Sequence, residues 1–244
     1  MAKYTVIATW ENAPHLSKAQ RAKYAADIPP SELKARTEGL PHMGSGLIWP
    51  VSQARISIAD FPLPPHHRRC FAFETGWLWN AAVFGSWDEQ TDIVYIYSVY
   101  KAEKAEPPIN ADAILAHGSW LPGVADASDI NRADGKQYIQ IYKDLGLDVE
   151  LPNKVLETGI QQVWVRLSTG RLRVFASCVE WFDEFNVYMR DRNGEIVKRN
   201  DHLLDATRYL IMSGLQRSCL PPTTTTAKLN WYDRPNYNPD AWMG

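Results

Sequence analysis

Cysteine is scarce in this sequence, and so are the short signatures that would name a common chemistry. Cys70, Cys178 and Cys219 are three widely spaced thiols, an odd number that suits neither a disulfide framework nor paired CxxC zinc ligands. They read as reduced and structural. No apolar run approaches the roughly 18 residues of a membrane span, and the start MAKYTVIATWENAPHL lacks the apolar core of a signal peptide, so a cytoplasmic protein is expected. Charge of one sign is lacking too: a formal net charge of -2 gives no strong pull toward nucleic acid or acidic membranes. GLPHMGSG (39–46) sets Gly39 and Gly44 at P-loop spacing, but Ser45 and Gly46 stand where Lys and Ser/Thr belong. Without that lysine nothing reaches the outer phosphates, which excludes an ATP site of this kind. GxSxG, HExxH and a GxGxxG after a strand are absent, which removes the familiar hydrolase, zinc-protease and dinucleotide readings.

What is present is enough apolar sequence for one large domain, 45% of 244 residues. Up to about residue 70, prolines interrupt every pattern except a helix over 18–26. Residues 1–60 read as a leader, 61–216 as the domain and 217–244 as a Pro, Thr and Asn rich tail. CFAFETGW (70–77), AAVFGSWD (81–88) and DIVYIYSVYKAE (92–103) read as three strands of a meander. Strands at 123–128, 147–151 and 171–176 then alternate with helices over 108–117, 135–145, 153–167 (capped by Asn153) and 179–189. Asn193-Gly194 marks a hairpin, and a last helix runs over 201–215. The expected fold is α/β, a mixed sheet with an antiparallel meander, parallel strands added through crossovers, and flanking helices.

Acids stand where structure alone does not favour them. Glu74 interrupts an apolar strand, on the face it shares with Ala72 and Gly76, where small neighbours leave room for a ligand. Asp126 ends an apolar strand. In NDHLLDATRYL (200–210) Asn200 is the expected N-cap and Asp201 suits the first turn, but Asp205 lies a turn further in among leucines. An acid facing a core needs a partner. If the first strand lies beside the one after the first crossover, Glu74 meets Asp126, and the last helix adds Asp205. Three converging carboxylates suit Mg²⁺ or Mn²⁺, and two such ions can drive phosphodiester hydrolysis. Asp201 and His202 are secondary candidates beside them, Asp201 reading first as a first-turn acid and only then as a ligand. Glu157 and Asp92 read as solvated, and Trp77 and Trp79 as the DNA-facing aromatics. Arg68, Arg69, Arg166, Arg171, Arg173, Arg190, Arg192, Lys198, Arg199 and Arg208 offer a weak, salt-sensitive DNA track.

The ordered segments ETGW…AAVFGSWDEQTDIVYIYSVY, WLPGVADAS, LETGIQQVWVRLSTGRLRVF and NDHLLDATRYLIMSG resemble the C-terminal nuclease domain of tailed-bacteriophage large terminase subunits, from about residue 45 to 215. The leader resembles the segment that joins the family's ATPase domain to its nuclease domain, so the stretch reads as a nuclease domain without its ATPase. The resemblance implies a ribonuclease H-like fold and a metal-dependent endonuclease of double-stranded viral DNA. It implies Glu74, Asp126 and Asp205 as catalytic metal ligands for Mg²⁺ or Mn²⁺, with His202 close by. Glu74-Thr75-Gly76 replaces the family's usual D-x-G, setting this carboxylate one methylene further out. The hairpin at Asn193-Gly194 resembles a family insertion that controls DNA access. Implied partners are DNA, the ATPase domain of the same subunit, the portal protein and the small terminase subunit, in the host cytoplasm and with no membrane; the isolated domain is expected to be a monomer. Two other readings of the residues remain: a resolvase- or transposase-type nucleotidyl transferase of the same fold, and a non-catalytic module docking a portal or partner through its tail.

Overall fold

The computed structural model describes residues 9–13, 16–26, 37, 46–126, 135–191, 194–198 and 200–222. Helix α1 (Lys18–Ala26) stands where the sequence pattern placed it, and α2 (Gln53–Ile56) leads into β1 (Ser57–Ile58). The meander follows as β2 (Arg68–Glu74), β3 (Trp79–Asp88) and β4 (Ile93–Glu103). After α3 (Pro107–Leu115) come β5 (Pro122–Asp126), α4 (Gly135–Asp144), β6 (Asp148–Glu150), α5 (Leu156–Thr169), β7 (Leu172–Phe175) and α6 (Val179–Phe185). Helix α7 (His202–Tyr209) runs on through a π-helical turn, Leu210–Gly214, to a last helical turn at Leu215–Arg217.

The strands form one seven-stranded sheet in the order β1-β7-β4-β3-β2-β5-β6. β2, β3 and β4 pair antiparallel, whereas β5 and β6 extend the sheet in parallel on one side and β7 and β1 on the other. Period-two alternation gives the interior strand β2 two buried faces. Cys70 and Ala72 join the core beneath α5, α6 and α7, while Phe71 and Phe73 join a second core with Ile114, Tyr142 and Val149. Gly123 is a packing requirement: a Cβ there would lie 2.5 Å from the Phe71 ring. Five flanking positions of the leader also enter the larger core, Trp49, Val51 and Ile56 fully and Ile48 and Ile58 in part.

Several local expectations are corrected. Asn153 does not cap α5; Val155 holds the cap position, and Asn153 Oδ1 accepts from the Val155 N–H at 3.1 Å, closing a turn before the helix. Asn200 does not cap α7 either. Its φ is 54°, a left-handed conformation that asparagine tolerates, and Asp201 takes the cap position. Helix α6 ends at Phe185 rather than Met189, because Met189 bridges to Leu47 and Arg190 to Ile196. That second bridge, with Gly194 at φ 84°, is the expected hairpin; Asn193 lies outside the described residues, as do the last two positions of the strand expected over 123–128 and the tail from 223. Asp92 is not merely solvated. It accepts from Arg166 at 3.0 Å, Arg171 at 2.8 Å and the Trp87 indole at 3.1 Å, which fixes the β3–β4 turn. Glu157 is exposed but paired, at 2.7 Å, with Arg190.

Candidate active site

Parallel pairing of β2 with β5 makes Glu74 and Asp126 register partners at the ends of both strands. Thr75 locks the junction, its N–H and its hydroxyl each donating to the Asp126 carbonyl at 2.9 Å. Helix α7 packs across these strand ends because Leu203, Leu204, Ala206 and Leu210 are buried in the core beneath it, and this brings Asp205 to the same place. Glu74, Asp126, Asp201, His202 and Asp205 all line one cleft of about 550 Å³. The three acids read from the sequence, and both secondary candidates, are therefore brought together.

Cations that the sequence did not single out as site residues share the cleft. The Lys154 ammonium lies 2.5 Å from Asp126 Oδ1, and the Tyr209 hydroxyl donates to Asp126 Oδ2 at 2.9 Å. Lys198 lies 3.2 Å from Asp201 and 3.3 Å from Asp205, and buried Arg208 donates to Asp205 at 2.9 Å. Converging carboxylates repel unless neutralised, and here lysine and arginine supply the neutralisation. Arg208, three residues after Asp205 on the same helix, and Lys198, three residues before Asp201, are close to their partners in sequence. Its approach depends on Gly159 of α5, where a Cβ would lie 2.4 Å from Arg208 Cγ.

Glu74 is held differently. Its Oε1 lies 3.8 Å from His202 Nδ1, while Oε2 is buried with no hydrogen-bond partner. Burial pushes its carboxyl up to about 8, opposed by His202 and reinforced by Asp205 and Asp201. The Glu74 side chain in turn raises the His202 imidazole. Another acid missed in the sequence, Glu184, orients the whole helix: its Oε2 accepts the Leu203 N–H at 2.7 Å, in the first turn of α7, and its Oε1 pairs with Lys101 at 2.5 Å. Buried in α6 and read only as part of an aromatic-rich helix, it anchors the element that carries Asp205.

The arginines expected to form a DNA track are largely committed elsewhere. Arg166 and Arg171 hold Asp92, Arg190 holds Glu157, Arg208 holds Asp205 and Arg68 bonds Ser218. Arg192 and Arg199 lie outside the described residues. Trp77, by contrast, is 83% exposed in the turn after Glu74, and Trp79 lies under the Lys101 ammonium.

Comparison with known proteins agrees with this architecture. Residues 74–213 match the family described as Terminase RNaseH-like domain. The large terminase subunits of Enterobacteria phage LP7 and Salmonella phage P22 are each 32% identical to the chain, over 84% and 81% of its length. The chain spans 46% and 42% of those proteins, less than half of either. Among solved structures, the P22 large terminase nuclease domain superposes with a TM-score of 0.67 at 29% identity, covering 73% of this chain and 96% of that one. The large terminase of a thermophilic bacteriophage, solved in complex with ADP, shares the fold at 18% identity and a TM-score of 0.61, over 85% of this chain and 54% of its own.

Proposed function

This chain belongs to the terminase RNaseH-like domain family, and on that premise we propose that it is a divalent-metal-dependent endonuclease that cleaves double-stranded viral DNA during genome packaging. The observation that carries the reading is the meeting of Glu74, Asp126 and Asp205 from β2, β5 and α7 in one cleft. An oxygen donor set of this kind fits Mg²⁺ or Mn²⁺. Glu74 Oε2, buried and without a partner, is an atom that such a cation would satisfy. Oxygens of these three acids do not all lie within 4.8 Å of one another, and the proposed site takes a pair of ions, with Asp201 and His202 beside them. Bound there, the ions would supply an activated water and stabilise the charge that develops on the phosphate.

The chain's own residues prepare the site. Thr75 and the Tyr209 hydroxyl fix Asp126 from two sides, and Arg208 fixes Asp205. Lys154 and Lys198 neutralise the carboxylates from flexible stems. When cations take over that role, these ammonium groups are free to pair with phosphate oxygens of the DNA strand. His202 faces Glu74 and holds the longer carboxylate that stands in for the family's usual aspartate.

The names of the relatives, large terminase subunits, support the wider setting. We place the domain in a packaging motor in the host cytoplasm, where an ATPase domain of the same subunit presents the DNA and the portal and small terminase subunit are partners. The isolated domain then has weak DNA affinity and is monomeric. Conversion of supercoiled plasmid to nicked and linear forms with Mg²⁺ or Mn²⁺, but not with EDTA, tests the activity. Strand joining instead of hydrolysis would turn the reading toward a nucleotidyl transferase, and inactivity with both ions toward a docking module.

A further inference from the structure

At the other end of β2 from Glu74, a second group of metal-ligating side chains comes together. The β2–β3 register pairs Arg68 with Trp87, so His67, one residue before β2, faces Asp88, the last residue of β3. Each of His66, His67 and Asp88 offers a ligand atom within 4.8 Å of the other two, and among the described residues no other three His, Cys, Asp or Glu side chains do so. Seven residue steps along the strand, roughly 23 Å, separate His67 from Glu74, so this group is independent of the acidic cleft.

The two inner ligands are already oriented. His67 is buried, its Nδ1 lies 3.2 Å from Ser86 Oγ, and its ring stacks on Tyr95 with 5.8 Å between centroids and 8° between planes. Nδ1 is engaged by a hydroxyl, the kind of outer hydrogen bond that can set the tautomer of a metal-bound histidine and leave its other nitrogen to the ion. Asp88 is held by the Thr91 hydroxyl at 2.7 Å and the Gln90 N–H at 3.1 Å. His66, exposed and edge-on to His67, is the third ligand. Satisfaction by Ser86 accounts for His67 as an ordinary core histidine, but not for a second imidazole and a carboxylate turned to the same point.

We propose that His66, His67 and Asp88 form a second cation site, selective for a Zn²⁺-class ion, which ties the start of β2 to the end of β3. Two imidazoles and one carboxylate suit a borderline transition ion with water completing its shell, whereas the cleft, with three carboxylates and one imidazole beside them, suits Mg²⁺ and Mn²⁺ better. Ligand distances of about 2.0–2.2 Å require the three side chains to close by a small rotation, which the exposed His66 can supply.

The test titrates the full chain with Zn²⁺ in excess Mg²⁺, which competes for carboxylate-only sites, and in parallel follows the visible absorption of Co²⁺. The proposal expects one Zn²⁺ bound per chain and a loss of about tenfold or more in affinity in both His66→Ala and Asp88→Asn, with Co²⁺ bands that weaken in both. His66 is exposed and Asp88→Asn is isosteric, and equal melting temperatures of the metal-free variants and the parent confirm that each is folded. Unchanged Zn²⁺ affinity in either variant, or no stoichiometric Zn²⁺ binding by the parent, overturns it.

Discussion

Glu74 and Asp126 are register partners on adjacent parallel strands, so two carboxyl groups share one end of the sheet before any ligand arrives. The fold resolves their repulsion unequally. Asp126 has an ammonium and a phenol as partners, while Glu74 is left buried with one oxygen unsatisfied and its pKa pushed up to about 8.

That asymmetry predicts a pH dependence. Glu74 and His202 both have raised folded-state values, and a raised group contributes stability that is complete below its unfolded pKa and is lost as pH rises through the folded one. From about 4.3, the ordinary Glu value, up to about 8, the metal-free protein therefore loses part of its stability. Thermal melts in EDTA across this range should show a falling melting temperature for the parent and a shallower fall for Glu74→Gln. Parallel curves would contradict the assignment.

Metal affinity should run the other way. A cation at Glu74 must displace its proton, so the apparent Mn²⁺ affinity rises as pH approaches about 8, with proton release on binding. Calorimetry in buffers of different ionisation enthalpy measures both. A pH-independent affinity with no proton release would place the ion away from Glu74.

Lys198 pairs with Asp205 and Asp201, and in the proposed site it would compete with a metal ion for them. Its side chain is 65% exposed, so losing it has little effect on folding. Lys198→Ala should lower the Mn²⁺ concentration at half-maximal binding several-fold, while weakening productive DNA cleavage. Unchanged metal affinity would remove the competition.

Glu184 tests the support beneath the site. Glu184→Ala leaves Lys101 and the Leu203 N–H without their buried partner, which costs about 3 kcal/mol, measurable by urea denaturation. Loss of less than about 1 kcal/mol would show that α7 is held in place without it.

Much of this architecture was legible in the sequence, for identifiable reasons. The meander and the alternating strands were readable because Phe71, Phe73 and the β-branched run of β4 repeat with period two. Asp205 was readable because an acid among core leucines violates the helical pattern. Caps and ends were not. Asn200 has the right chemistry for a cap, but its left-handed backbone gives the position to Asp201, and α6 stops early because Met189 and Arg190 pair with Leu47 and Ile196. Lys154 was illegible as a site residue, since only tertiary packing brings it from the approach to α5 onto Asp126 of β5, whereas Lys198, three residues before Asp201, was read only into the DNA track. Basic residues read as a DNA track were used instead to pair Asp92, Glu157 and Asp205, partners distant in sequence or buried.

In the proposed function, Glu74, Asp126 and Asp205 act together through divalent cations on DNA. The most direct measurement compares Mn²⁺- and Mg²⁺-dependent plasmid cleavage by the parent with that by Asp126→Asn and Asp205→Asn, each checked for folding. The account predicts cleavage that is abolished by EDTA and reduced in both variants by about a hundredfold or more, as expected when a ligand of the ion that stabilises the transition state is removed. Parental activity in either folded variant would contradict it.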